Sequence, residues 1–199
     1  MLVDRGSGQL NRCSVAVDDV LGGRLAATHL AELGHRHIAF VGGPASIAQV
    51  ADRHAGAAAA LTEHGGGIEL EVVETKALSV TAGRQAAEDI CALPQARRPT
   101  AIFCANDLLA LGVLQGLTIG GLRVPEDISL VGYDDIDFAA AAAVPLTSVG
   151  QPREQLGRTA AQLLLEEADT DAAHGHRHVV FQPQLVVRQS TAAPRRRTR

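Results

Sequence analysis

Tryptophan is absent from this 199-residue chain, tyrosine and methionine occur once each, and phenylalanine occurs four times. With aromatics at 3% and hydrophobic residues at 46%, a sizeable core must be built from Ala, Val, Leu and Ile. An excess of positive charge is also missing. The net charge is −4 with both signs interspersed, which argues against a surface made to hold nucleic acid. The one basic run, Arg195-Arg196-Arg197-Thr198-Arg199, could touch phosphate, but such a run is more often a solvated chain end.

Three cysteines, Cys13, Cys91 and Cys104, lie far apart with no C-x-x-C. An odd, dispersed set argues against a disulfide scaffold or a zinc site and suits a reducing cytosol. Cys91 and Cys104 read as small buried hydrophobes. No apolar run reaches 18 residues, so no membrane-spanning helix is expected. The opening MLVDRGSGQL lacks the basic and apolar regions of a secretory leader. There is no G-x-G-x-x-G after a strand, no G-x-x-x-x-G-K-[ST] and no G-x-S-x-G. The commonest signatures of dinucleotide, phosphate-loop and esterase chemistry are therefore missing.

Short apolar runs alternating with helical periodicity are what the chain does have. Strands are expected at residues 14–17, 37–41, 69–74, 100–104, 128–132, 178–181 and 185–187, with a short crossing segment at 147–150. Between them, helices are expected from Asp18 or Asp19 (a cap) to Leu33, over 50–64, from Ser79 (a cap) to Leu93, over 107–119, and from Pro152 to about 168. Gly34 and the Gly65-Gly66-Gly67 run stop two of them. Strands separated by helices imply right-handed crossovers and a mostly parallel, doubly wound α/β sheet. The continuously apolar AIFC and ISLVG suit strands covered on both faces.

In such sheets ligands bind beyond the carboxyl ends of the strands. Two strands end in polar residues there. Asn106 is either a helix cap or a cap whose amide also faces a ligand. Asp134 is either a turn residue, a role Asp135 could also take, or an acceptor for adjacent hydroxyls. Arg53 is either a solvated charge on a helix's first turns or a guanidinium fork for ring oxygens, hydroxyls or a carboxylate. Gly42-Gly43-Pro44 reads as a plain turn. His35 and His37 flank Arg36 at a helix end, where a cation complements the dipole. His174, His176 and His178 alternate in HGHRH, yet no Cys, Asp or Glu stands at a usual metal-ligand spacing from them, so a solvated loop is the reading and no metal site is expected.

Taken in order, SVAVDDVLGGRLAATHLAELGHRHIAFVGGP, the Arg of ADRHAG, SVTAGRQAAEDI, RPTAIFCANDLLALGVLQGLTIGGLRVPEDISLVGYDDIDFA and PLTSVGQPREQLGRTAAQLLLE with LVVRQST resemble the effector-binding core of the LacI/GalR (lactose-repressor) family. The resemblance runs from about residue 2 to 194. It implies a type I periplasmic-binding-protein-like fold with two lobes around an effector, the first lobe incomplete. Residues 1–17 and 152–179 are expected to be what is present of the N-terminal lobe, 18–151 and 180–192 the C-terminal lobe, and 193–199 a disordered basic tail. It also implies a sugar or nucleoside effector, a homodimer, operator DNA reached only through a headpiece not in this chain, a cytoplasmic location and no cofactor. By resemblance Arg53 grips the effector and Asp134 and Asn106 contact it. Arg53 and Asp134 are expected to act as a donor–acceptor pair across a polyol. Asp4, Ile47 and Gln49 match effector-facing positions, Gln151 matches the hinge, and Leu78 stands where relatives often place a stacking aromatic. A leucine packs there but cannot stack, which weighs against recognition of an aromatic ring. The apolar faces of 22–33 and 108–119 are expected near the subunit interface. The same fold in a transporter's sugar-binding protein is the alternative, and no enzyme is expected because no nucleophile–base set is visible.

Overall fold

The computed structural model describes residues 1–4, 12–168 and 175–195. Its strands form two sheets. The larger contains β3 (His37–Gly42), β4 (Glu69–Glu74), β5 (Ala101–Cys104), β6 (Ser129–Asp134), β7 (Thr147–Gly150) and β9 (Gln184–Val186) in the order β4-β3-β5-β6-β7-β9. Every neighbouring pair is parallel except β7–β9. The smaller sheet, β1 (Leu2–Val3), β2 (Ser14–Val17) and β8 (His178–Phe181), is parallel in the order β1-β2-β8. Helices α1 (Asp19–Glu32), α2 (Ala48–His64), α3 (Val80–Ala92), α4 (Asp107–Ile119) and the one-turn α5 (Asp137–Ala140) accompany the large sheet, and α6 (Arg153–Ala168) packs against β2.

Local chemistry sets the helix ends. Asp18, Ser79 and Asn106 accept from the backbone N–H of Leu21, Ala82 and Leu109, which caps α1, α3 and α4. Gly34 and Gly65 follow α1 and α2 at φ 98° and 73°, where an L side chain is strained. Adjacent strand residues face opposite sides of a sheet. A Cβ on Gly132 would meet Asp107 and Ala110, whereas Tyr133 lies against Gly22. Helices α4 and α1 therefore cover opposite faces, and the core between them is aliphatic except for Phe40, Phe103 and Tyr133. A second, small core joins Cys13 and Val15 to Ala160 and Leu163.

Three expectations change. Residues 147–150 are not a crossing segment but a full strand, because β6 offers them a parallel ladder from Val131 to Asp134. The small sheet keeps all of β8, through Phe181, so the sheet boundary falls two residues later than the expected 179. His35 is not a helix-end cation. It is buried, with Nδ1 at 2.9 Å from Thr100 Oγ1 and Nε2 at 3.0 Å from the Ala192 carbonyl, and burial pushes its pKa down. Half-exposed His37 sits 3.2 Å from Glu71. His174 and residues 196–199 of the tail lie outside the described residues.

Candidate functional site

Numbered from β3, the parallel strands of the large sheet run 2-1-3-4-5, the flavodoxin-like doubly wound order, whose crevice opens where the winding reverses. That point lies between the carboxyl ends of β3 and β5. Arg53 is there. Its helix enters the sheet's rim so that the guanidinium, only 4% of the residue being exposed, donates from NH1 to the carbonyl of Ala105 at 2.7 Å. Nε donates to Asp19 Oδ1 at 2.8 Å, NH1 lies 3.9 Å from Asp134 Oδ1, and the carbon of the fork sits 3.6 Å above the Tyr133 ring. Burial opposes the Arg53 charge, but the carboxylates of Asp19 and Asp134 outweigh it and raise the pKa. Burial raises Asp19 and Asp134 in turn, with Arg53 pulling both back. The tyrosine's own pKa is driven up, first by burial.

Asp134 ends β6 with φ 102° and Asp135 follows at φ 50°, so the strand turns sharply there. Asp135 serves the structure: its N–H donates to Ser148 Oγ at 3.1 Å and its carboxylate pairs with Arg188 at 2.6 Å. That leaves Asp134 facing Arg53, and Gln151 Nε2 donates to it at 2.6 Å. Asn106 spends its carbonyl oxygen on the α4 cap, so the cap reading holds, and only its amide nitrogen can reach further. Gln49 donates to the Asp4 carbonyl at 2.6 Å, which joins α2 to the end of the small sheet. Asp4 Oδ1 is buried with no hydrogen-bond partner among the described residues. Ile47 and Leu78 are partly buried against the core, and Leu78 lies against Gly43.

Two hollows flank this line of residues. One, of about 420 Å³, is walled by Asp4, Asp18, Asp19, Gln49 and Asp52. The other, of about 440 Å³, is walled by Asp135, Gln151, Phe181 and Gln182. Both lie where the small sheet meets the large one. A larger hollow of about 580 Å³ opens at the amino ends of β5 and β6, beside Thr100 and Ile128, away from these side chains. The structure therefore gathers Arg53, Asp134 and Gln151 in one chain of contacts and Asp4 with Gln49 in another. The Arg53 environment depends on two residues that sequence reasoning did not nominate, Asp19 and Tyr133. The signal for Asp19 was faint: Asp18 takes the cap, which leaves its neighbour's carboxylate spare.

Asp107 is buried at the start of α4, beside the end of β6. Its carboxylate accepts from Ser148 Oγ at 2.7 Å and from the Ile136 N–H at 2.9 Å, so it ties α4 to β7 and to the turn after β6. Burial lifts its pKa from an ordinary 3.8 to about 6, against the pull of those two donors. A carboxyl raised in the fold holds its proton more tightly folded than unfolded. Its contribution is therefore full below pH 3.8 and is lost as the pH climbs through about 6. Relative to Asp107→Asn, which adds only a pH-independent offset, the chain is expected to lose up to about 3 kcal/mol over that window. Urea unfolding at closely spaced pH values measures it, and parallel curves would refute it.

Residues 27–191 match the periplasmic binding protein-like domain family. The chain is 37% identical over 169 residues to the HTH-type transcriptional repressor PurR of Aliivibrio fischeri (strain MJ11), covering 85% of this chain and 50% of that protein. A LacI family transcriptional regulator from Enterococcus faecalis V583, solved with bound ribose, superposes with TM-score 0.82 at 36% identity over 91% of this chain and 64% of the other. A dimeric lac repressor with a C-terminal deletion superposes with TM-score 0.84 at 34% identity over 97% of this chain and 69% of the other. The chain spans about half the length of the repressor relatives it matches.

Proposed function

Since the chain belongs to the LacI family of transcriptional regulators and carries their periplasmic-binding-protein-like domain, we propose that it senses a small polyhydroxy effector in the crevice between its two sheets and passes that signal to operator binding. The observation that carries this reading is Arg53, buried at the switch point, charge-balanced by Asp19 and 3.9 Å from Asp134. A fixed fork beside an acceptor suits hydroxyls on neighbouring carbons. Asp134, Gln151, Asn106, Asp4 and Gln49 supply further polar contacts, and Ile47 and Leu78 an apolar wall. The ribose-bound neighbour supports a sugar, and Leu78, which cannot stack on a base, favours a sugar over a nucleoside.

We assign operator contacts to a helix-turn-helix outside the matched domain, a reading that the names of the HTH-type relatives support, as they support a cytoplasmic location. These relatives favour a regulator over a transporter's binding protein and over an enzyme. Among the described residues no helix is long and apolar enough to cross a membrane. A homodimer is supported by the dimeric neighbour rather than by the apolar faces of 22–33 and 108–119. Those faces are mostly consumed inside the subunit, by Leu30, Leu109, Val113 and Leu117 among others, leaving Leu108 and Ile119 outward. Thermal melting in ribose, disaccharides and purine nucleosides tests the effector reading. A cognate sugar at a hundred times its Kd is expected to add about 2.7 kcal/mol and raise Tm by roughly 5–10 °C. Stabilisation by purines alone, with none by sugars, would overturn the sugar assignment.

A further inference from the structure

The HGHRH run is a motif that the effector site leaves unused, and the fold changes its surroundings. The chain leads from His176 into β8, β8 pairs with β2, and α6 ends beside the start of β2. This brings to His176 two side chains that are distant in sequence, Cys13 and Glu167. One ligating atom from each, thiol sulfur, carboxylate oxygen and imidazole nitrogen, lies within 4.8 Å of the others. His176 Nδ1 is 3.6 Å from Glu167 Oε1.

We propose that Cys13, Glu167 and His176 form a binding site for a borderline-soft divalent cation of the Zn²⁺ class, independent of the effector site. Sulfur, nitrogen and oxygen donors in one cluster are the set that such ions take, with water in a fourth tetrahedral position. A thiolate and a carboxylate together balance a divalent charge. The ligand edges of a tetrahedral zinc site are about 3.5 Å, so the cluster must contract by about 1 Å. Exposed His176 and half-buried Glu167 can supply that movement, whereas Cys13 is fixed in the small core.

The surroundings are those of a supported ligand set. The Arg177 N–H donates to Cys13 Sγ at 3.4 Å, which helps to orient the sulfur. The Cys13 N–H donates to Glu167 Oε1 at 2.8 Å, which orients the carboxylate. A bound cation would tie together the start of β2, the end of α6 and the approach to β8, adding to the β2–β8 ladder and the Cys13–Glu167 hydrogen bond.

Titration of the full chain with Zn²⁺, followed by calorimetry, and with Co²⁺, followed by absorption, tests the site. The expected result is one equivalent bound, a thiolate-to-cobalt charge-transfer band in the near ultraviolet, and a higher Tm with metal. His176→Gln changes an exposed side chain and leaves the core intact. It is expected to weaken binding by about a hundredfold or more, at least the loss that removing an outer partner can cause. Cys13→Ser is expected to abolish the charge-transfer band. A cobalt spectrum without that band, or His176→Gln binding zinc as tightly as the parent, would overturn the proposal and leave only surface histidine binding. Neither result touches the effector reading, whose probes are sugars.

Discussion

Replacing Arg53 by Ala is expected to remove effector binding altogether and to destabilise the fold by about 3–5 kcal/mol, the loss typical of a buried ion pair stripped of one partner. The reason is the number of groups that rely on this one side chain. Asp19 and Asp134 are both substantially removed from water and both already raised in pKa by burial. Without the guanidinium each must either stay charged with less compensation or take up a proton. The Ala105 carbonyl loses its donor and the Tyr133 ring loses its cation. The lost stability should be concentrated at neutral pH and shrink in acid, where protonation of the two carboxyls removes their need for a partner. Arg53→Lys separates the roles. It keeps the charge and so recovers part of the stability, but it lacks the fork and should leave effector affinity low. Denaturation and calorimetry on the same two variants measure both effects, and an Arg53→Ala protein that binds sugar normally would remove Arg53 from the site.

The second large effect concerns glycines where helices touch. A Cβ on Gly23 would sit 1.9 Å from the Arg53 carbonyl oxygen, and one on Gly112 would sit 2.0 Å from that of Val80. The obstacle in both cases is helix backbone, which cannot rotate away. Gly23→Ala must push α1 from α2, and Gly112→Ala must push α4 from α3. Each is expected to cost about 3 kcal/mol, the upper end for overpacking. Only Gly23→Ala moves the Arg53 backbone, so only it should also weaken effector binding. Gly157 is the control: it lies on the exposed face of α6 with open space around it, and Gly157→Ala should stabilise by about 0.5–1 kcal/mol. Melting curves that rank Gly157→Ala below Gly23→Ala would refute the packing account.

Much of the fold was legible because it is written in neighbouring residues. The expected strand over 69–74 and helix over 107–119 match β4 and α4 residue for residue, and Ser79, Asn106 and Gly34 act at the helix ends as their chemistry suggests. The one-turn α5 and the short β1 were not legible, since neither is long enough to show a period. His35 was misread because its position in sequence is a helix end, while its position in space is beneath the chain's closing segment at Ala192.

By itself, then, the sequence determined the alternation of strands and helices, the aliphatic core, the absence of the common enzyme signatures, and the polar residues that end β5 and β6. Tertiary structure decided which of these act together. Arg53 finds Asp19 across 34 residues, and Cys13 finds Glu167 across 154. Such partnerships depend on strand order and on which helices cross a sheet edge. Capping and periodicity act within one turn or one strand, so they carry no information about those distances. The physical reason is range: local propensity fixes an element, and only burial of one element against another chooses the neighbours of a charge.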